Sequence, residues 1–154
     1  MCSGIAIPKT EIPDVLMDRY GLRSRITSRG GDQELRFLVR DKPRVLPTWV
    51  SNQLIVLPWG NQNTRSRLPR TGFLTKESLE SGQLEWMKPE HAIIPAAAGI
   101  DNGRWYQIQD GITGVIVSDE INRMHVYMLT EPASHYYRIM TGSDRMPVLV
   151  RQQL

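Results

Sequence analysis

Short segments typical of β-strands, each closed off by turn residues, restrict the fold of this chain more than any other feature. Every segment is rich in β-branched or aromatic residues, and glycine, proline, asparagine or aspartate separates it from the next. The pattern predicts six strands: Leu35–Val39, Gln53–Leu57, Ala92–Pro95, Trp105–Ile108, Ile112–Val117 and Met124–Leu129. We therefore expect a core built largely from β-sheet.

Between and before these strands the sequence predicts two or three short helices: Thr10–Gly21, Lys76–Glu85 and Ala133 to about Met140. Pro13 suits the first turn of the first helix, and Gly21 can end it. Thr75 is the expected N-cap of the second helix, which Gly82 weakens. Strands interrupted by such helices indicate an α+β domain, with a strongly curved mixed sheet or an open β-barrel.

The length and composition of the chain fit one domain. No repeat or flexible linker divides residues 1–154, and a chain of this length buries about two thirds of its surface on folding. No apolar run approaches the roughly 20 residues that span a bilayer, and no secretory signal is present, so we expect no membrane partner and a cytoplasmic location.

Cysteine and histidine are too few and too scattered for a metal site. Cys2 is the only cysteine, which excludes an internal disulfide and a cysteine-rich zinc site. His91, His125 and His135 are the only histidines, and they show no spacing known for metal ligands. We expect no metal and no other cofactor.

Positive charge is concentrated in one part of the chain. Residues 19–70 contain eleven lysines and arginines against three acids, although the whole chain carries a net charge of only +3. Arginine supplies fifteen of the nineteen basic residues, and a guanidinium can pair with phosphate through two parallel hydrogen bonds. The segment therefore favours a polyanionic partner, with a solvated arginine-rich surface as the alternative.

A tryptophan, Trp59, lies within this basic segment, ahead of its last three arginines. Arg65, Arg67 and Arg70 follow Trp59, and stacking of a base on an indole contributes about 1 to 3 kcal/mol to single-strand binding. The simpler interpretation of Trp59 is core packing. Both interpretations remain open from the residues alone.

Cys2 carries a second, chemical signal because removal of Met1 would make it the N-terminal residue. Its thiol and its free α-amine would then form a 1,2-aminothiol, which condenses with an aldehyde to an imine and closes into a thiazolidine ring. Near neutral pH both groups are partly available, since their unperturbed pKa values are about 8.5 and about 7.7 to 8.0. The alternative is that Cys2 is a small buried hydrophobe.

Five landmarks along the chain occur in the order of one known family. They are Cys2 with the helix end Asp18–Leu22, Pro58–Gly60 (PWG), Ala92–Ala96 (AIIPA) with Gly99, Tyr127–Ala133 (YMLTEPA) and Arg145–Val150 (RMPVLV). Together they resemble the SRAP family, the SOS response-associated peptidases, from the first residues to nearly the last. The resemblance implies an SRAP-like fold.

The resemblance also implies a function in DNA damage. In the family, an N-terminal cysteine attacks the ring-opened sugar of an abasic site in single-stranded DNA and forms a covalent thiazolidine crosslink. An autopeptidase activity that frees the cysteine is an older idea for the family. By this resemblance Cys2 is the expected nucleophile inside a basic groove, and the expected DNA contacts are Trp59, Arg65, Arg67, Arg70 and Arg145.

The chain departs from the family where the helpers of the cysteine are expected. The family glutamate is missing after Gly99, and Asp101 is the nearest carboxylate. No histidine precedes Arg145, and His135 is the only candidate to replace it. The family asparagine motif and the longer family C-terminus are not found either. A non-catalytic DNA-binding module therefore stands as the alternative to a crosslinking protein, and a shortened, divergent sequence fits a prophage origin.

Overall fold

The computed structural model describes residues 2–154, so the expected removal of Met1 lies outside the described residues. Twelve strands form most of the fold: β1 Gly4–Pro8, β2 Ile26–Arg29, β3 Asp32–Leu38, β4 Val45–Val50, β5 Gln53–Pro58, β6 Phe73–Thr75, β7 Glu90–Ile94, β8 Ala98–Asp101, β9 Arg104–Gln107, β10 Ile112–Ser118, β11 Met124–Pro132 and β12 Arg145–Pro147. Three helices accompany them: α1 Asp14–Arg19, α2 Lys76–Glu80 and α3 His135–Thr141. The predicted α+β class is confirmed, and each of the six predicted strands is present.

The strands form two sheets. The first has the order β2-β3-β1-β8-β9, and all of its neighbours are antiparallel. The second has the order β12-β11-β10-β7-β4-β5, with the short strand β6 parallel to β11. Neither sheet closes into a barrel within the part of the chain that the structure describes.

The core lies between the inner faces of the two sheets. On β1 the alternation of a strand places Ile5 and Ile7 in the core, where both are fully buried. Apolar residues of β10 and β11, such as Ile112 and Val126, belong to the same cluster. Ala6, between the two isoleucines, faces the other side of the first sheet together with its register partner Arg36.

The helices are shorter than the sequence predicted. Pro13 precedes α1 and Gly21, at φ +63°, follows it, but residues 9–11 form a separate 3₁₀ turn. Thr75 caps α2 as predicted, its hydroxyl accepting the Ser78 amide at 3.1 Å. That helix ends at Glu80 rather than Glu85, and Gly82 adopts a positive φ of +82° just beyond it. In residues 2–154 no helix combines the length and the apolar character that crossing a membrane requires.

Candidate active site and nucleic-acid interface

Cys2 lies two residues before the start of β1 and belongs to the buried core cluster. Its thiol donates a hydrogen bond to the Gly4 carbonyl at 3.2 Å, and only 1% of the residue is exposed. The Ser3 amide donates to the Ile100 carbonyl at 2.8 Å, which extends the pairing of β1 with β8. Because these antiparallel strands match Gly4 with Ile100, the chain before Gly4 runs beside Asp101.

The Asp101 carboxylate is the centre of a buried polar cluster. Tyr137 donates its hydroxyl to one carboxylate oxygen at 2.7 Å, and Ser143 donates to the other at 2.9 Å. The Tyr137 hydroxyl also lies 3.4 Å from that of Tyr106, and the two rings pack edge to face with centroids 5.3 Å apart. We call Cys2, Asp101, Tyr106, Tyr137 and Ser143 the Cys2 cluster.

The environment of this cluster favours protonated hydroxyl and thiol groups. Burial raises the pKa of the Cys2 thiol, a hydrogen bond with Tyr106 partly opposes that rise, and the negative charge of Asp101 adds to it. Burial likewise raises the pKa of Tyr106 and of Tyr137, so both phenols stay neutral and can donate hydrogen bonds. Cys2 is therefore a thiol rather than a thiolate at neutral pH.

Two of the three predicted catalytic residues meet in the Cys2 cluster, and the third does not. Cys2 and Asp101 lie close enough together for the charge of Asp101 to raise the pKa of the Cys2 thiol. His135 begins α3 and is exposed. It lies about 200° around the helix from Tyr137, because successive helical residues are about 100° apart. His135 is therefore not part of the Cys2 cluster, and its role as a replacement for the family histidine stays a prediction.

The predicted surroundings of Cys2 also need correction. We expected the sulfur in an open, arginine-lined groove, whereas it is buried beside two tyrosines and a carboxylate. The physical reason is its position ahead of β1, a strand whose inward residues are completely buried.

Trp59 is a core residue and not a DNA contact. Only 1% of it is exposed, and its indole N–H donates to the Gly72 carbonyl at 2.9 Å. The ring packs edge-on against Phe73, with centroids 5.9 Å apart. Gly72 is needed there, because a Cβ at that residue would lie 2.6 Å from the indole nitrogen. The prediction that Trp59 stacks on a base is therefore wrong.

A different tryptophan accompanies the basic segment. Arg65, Arg67 and Arg70 are exposed, as a phosphate contact requires. The Arg67 guanidinium lies 5.1 Å from the ring centroid of Trp86, which is 51% exposed. We call Arg67 and Trp86 the Arg67–Trp86 patch. Sequence reasoning missed Trp86 because nineteen positions separate the pair along the chain.

The predicted contact Arg145 already has a carboxylate partner. Its two Nη atoms lie 2.6 and 3.2 Å from the two carboxylate oxygens of Glu77, and Nη2 also donates to the Thr130 carbonyl at 2.9 Å. These bonds tie β12 to α2 and β11. Arg145 is therefore a structural link, and the DNA contact, which stays a prediction, would require breaking a bidentate ion pair.

The loop that carries the basic segment is anchored to the turn between β10 and β11. Glu120 accepts hydrogen bonds from the Ser66 hydroxyl at 2.8 Å and from the Arg67 amide at 3.0 Å. In the same turn, Asp119 lies 2.9 Å from His125 Nε2, while His125 Nδ1 lies 2.8 Å from the Gly60 carbonyl. The position of Arg67 therefore depends on this turn.

Acid is expected to weaken this anchor. Burial raises the pKa of Asp119, but hydrogen bonds from His125 and from two backbone amides outweigh it and lower the pKa to about 2. Since the folded pKa lies below the unfolded value of about 3.9, the stabilisation is complete above pH 4 and is lost as the pH falls towards 2. Asp119→Asn should cost roughly 1 to 2 kcal/mol of unfolding free energy at pH 7.

Urea unfolding at pH 7, 4 and 2 measures this effect. The difference between wild type and Asp119→Asn should shrink as the pH falls, whereas Asp144→Asn, with its side chain 91% exposed, should match wild type at each pH. A gap between wild type and Asp119→Asn that is the same at pH 7 and pH 2 would contradict the assignment.

No group of three or more potential metal ligands occurs in residues 2–154. Comparisons with protein-family models, with curated proteins and with solved structures found no match to this chain.

Proposed function

We propose that this chain is an SRAP-like domain, with the curved sheet of that family, that binds single-stranded DNA and captures an abasic site at Cys2. The observation that supports it best is the meeting of Cys2 and Asp101 at the paired ends of β1 and β8. Those are the two residues that the resemblance to the family selected as nucleophile and as acid–base partner. The exposed Arg67–Trp86 patch supports the DNA partner.

The proposed reaction balances without an oxidant, a reductant or a metal. After removal of Met1, the α-amine of Cys2 adds to the aldehyde carbon of the ring-opened abasic sugar, and loss of water gives an imine. The thiol then adds to the imine carbon, forming the S–C bond, and its proton passes to the nitrogen. The products are a thiazolidine crosslink and one water molecule.

The Cys2 cluster can move the protons that this sequence requires. The Asp101 carboxylate is positioned by the hydroxyls of Tyr137 and Ser143 and can accept a proton from the amine or the thiol. Tyr106 can donate a hydrogen bond to the sulfur as it becomes negative. General acid–base assistance of this kind typically contributes about 10² to 10⁴ in rate.

The test is denaturing electrophoresis of the protein with an abasic single-stranded oligonucleotide. Intact-mass measurement first establishes that Met1 is absent. Wild type should give a band that survives denaturation, and Cys2→Ala should give none, because alanine cannot close the ring. If wild type gives no such band at any pH from 6 to 9, the crosslinking proposal fails.

A non-catalytic DNA-binding module is the second candidate, and the burial of Cys2 at 1% exposure favours it. Fluorescence anisotropy with an undamaged oligonucleotide separates the two functions. Binding that weakens with salt, without a covalent product, selects this module, since phosphate contacts release counterions.

The autopeptidase function has a separate test. It is selected if Met1 is absent from the wild-type protein after expression but is retained in Cys2→Ala.

A further inference from the structure

Two arginines lie close together on the outer face of the first sheet, away from the core. The guanidiniums of Arg29 on β2 and Arg36 on β3 lie 4.8 and 4.9 Å from the ring centroid of Trp105 on β9. Two strands, β1 and β8, separate β3 from β9 in this sheet. Arg36 can reach the indole of Trp105 because the residues beside it on the two intervening strands are small. Its register partner on β1 is Ala6, and the partner of Ala6 on β8 is Ala98.

One carboxylate holds both guanidiniums. Glu34, which is buried, accepts from Arg29 Nε at 3.1 Å and from Arg36 Nε at 3.2 Å. Asp32, the register partner of Arg29, forms no ion pair with it in the described part of the chain. Two positive charges therefore share one negative charge, and a second anion would relieve their repulsion.

The hydrogen-bonding groups left over match an anion with several oxygens. Among residues 2–154 the Nη groups of Arg29 and Arg36 have no hydrogen-bond acceptor, since only the Nε atoms are used. The two side chains are 41% and 33% exposed, so solvent and ligands can reach them. Planar guanidinium donors in this arrangement suit the oxygens of a phosphate group.

A cavity adjoins Arg29, one of the two arginines. Its volume is about 370 Å³, and Arg29, Trp105, Tyr106 and Gln107 are among the residues that line it. Cavities of about 300 to 1,000 Å³ are typical of small-ligand sites, so there is room for a sugar or a base attached to the phosphate. Thr27, which pairs with Glu34 across the two strands, has a buried hydroxyl without a partner in the described residues.

We infer that Arg29 and Arg36, set by Glu34 and Trp105, form a phosphate-binding site for a nucleotide or for the backbone of a nucleic acid. The inference does not rest on the chemistry of Cys2. It concerns a different face of the first sheet from the buried Ile5 and Ile7, and it can be tested without an abasic site.

The experiment follows the indole N–H resonance of Trp105, assigned with Trp105→Phe, in ¹H–¹⁵N spectra during titration at constant ionic strength. Inorganic phosphate should shift it saturably. In Arg36→Gln and in Arg29→Gln the half-saturating concentration should rise about 10- to 100-fold, the usual effect of losing a charged hydrogen-bonding partner. Arg104 is an exposed arginine on β9, the strand of Trp105. Arg104→Gln should therefore have the half-saturating concentration of wild type.

Two further probes distinguish the sources of the phosphate. Adenosine monophosphate supplies a phosphomonoester, and an oligothymidylate without terminal phosphates supplies phosphodiesters only. The probe that binds more tightly shows whether the site prefers a nucleotide or a nucleic-acid backbone. The buried Trp59 resonance confirms folding in every variant, and Arg36→Lys keeps the charge if the glutamine variant fails to fold. If none of the three probes shifts Trp105 saturably, or if the double glutamine variant titrates like wild type, the inference is overturned whatever the outcome of the crosslinking assay.

Discussion

Trp59→Ala is expected to lower the free energy of unfolding by about 3 to 5 kcal/mol, the usual cost of removing a buried tryptophan from a core. The substitution removes a side chain that is 1% exposed and also leaves the Gly72 carbonyl without the indole donor. Trp86→Ala provides the matched control. Trp86 is 51% exposed, so its removal should change stability by no more than about 0.5 kcal/mol.

For single-stranded DNA binding we expect the opposite order, with a larger loss of affinity from substituting Trp86 than from substituting Trp59. Loss of Trp86 removes a stacking surface beside Arg67 and should weaken binding by about 1 to 3 kcal/mol. Trp59→Phe, which keeps a buried ring and leaves the surface unchanged, should bind DNA like wild type. Urea unfolding and fluorescence anisotropy with an undamaged oligonucleotide give both quantities.

A stability loss that is equal for Trp59→Ala and Trp86→Ala would contradict the placement of Trp59 in the core. Unchanged DNA affinity in Trp86→Ala would remove the Arg67–Trp86 patch from the proposed interface. The two results are independent, because one depends on burial and the other on a surface contact.

Two strands that sequence reasoning missed, β1 and β8, differ in composition from two that it found, β10 and β11. β10 and β11 contain runs of β-branched and aromatic residues, which report strand formation locally. β1 contains glycine and proline, and β8 contains two small residues and an aspartate, so neither carries that signal. The Tyr106 ring packs directly on Gly99 in β8. Glycine is needed there because a Cβ at this residue would lie 2.5 Å from the ring.

The candidate site was predictable only in part for a related reason. Cys2 was identified by its chemistry at the chain start, and Asp101 by its place after Gly99 in a family-like turn. Tyr137 and Ser143 lie 36 and 42 residues from Asp101, and nothing local in the sequence links them to it. The same limit applies to Trp59, whose nearness to Arg65 along the chain does not place the two on one surface.

Asp101→Asn is expected to slow crosslinking to an abasic site by about 10² to 10⁴, the usual contribution of a general acid–base group. Asparagine keeps an oxygen that can accept hydrogen bonds from Tyr137 or Ser143, so the side chain should stay in place without being able to take a proton. The substitution also removes a negative charge that raises the pKa of Cys2, which by itself would increase the thiolate fraction. That effect acts in the opposite direction and is expected to be smaller, because burial is the dominant cause of the raised pKa.

Single-turnover crosslinking rates measured between pH 6 and 9 separate these two effects. Wild type should accelerate as the pH rises, since the raised pKa of Cys2 leaves the thiol protonated at neutral pH. Asp101→Asn should be slower at every pH, with the smallest deficit at pH 9, where the bulk solution removes the proton more readily. Asp110→Asn, which changes an exposed carboxylate, should follow wild type throughout. An Asp101→Asn protein that crosslinks at the wild-type rate, while Cys2→Ala does not crosslink at all, would leave Cys2 as the nucleophile but would exclude Asp101 from the proton transfers proposed for it.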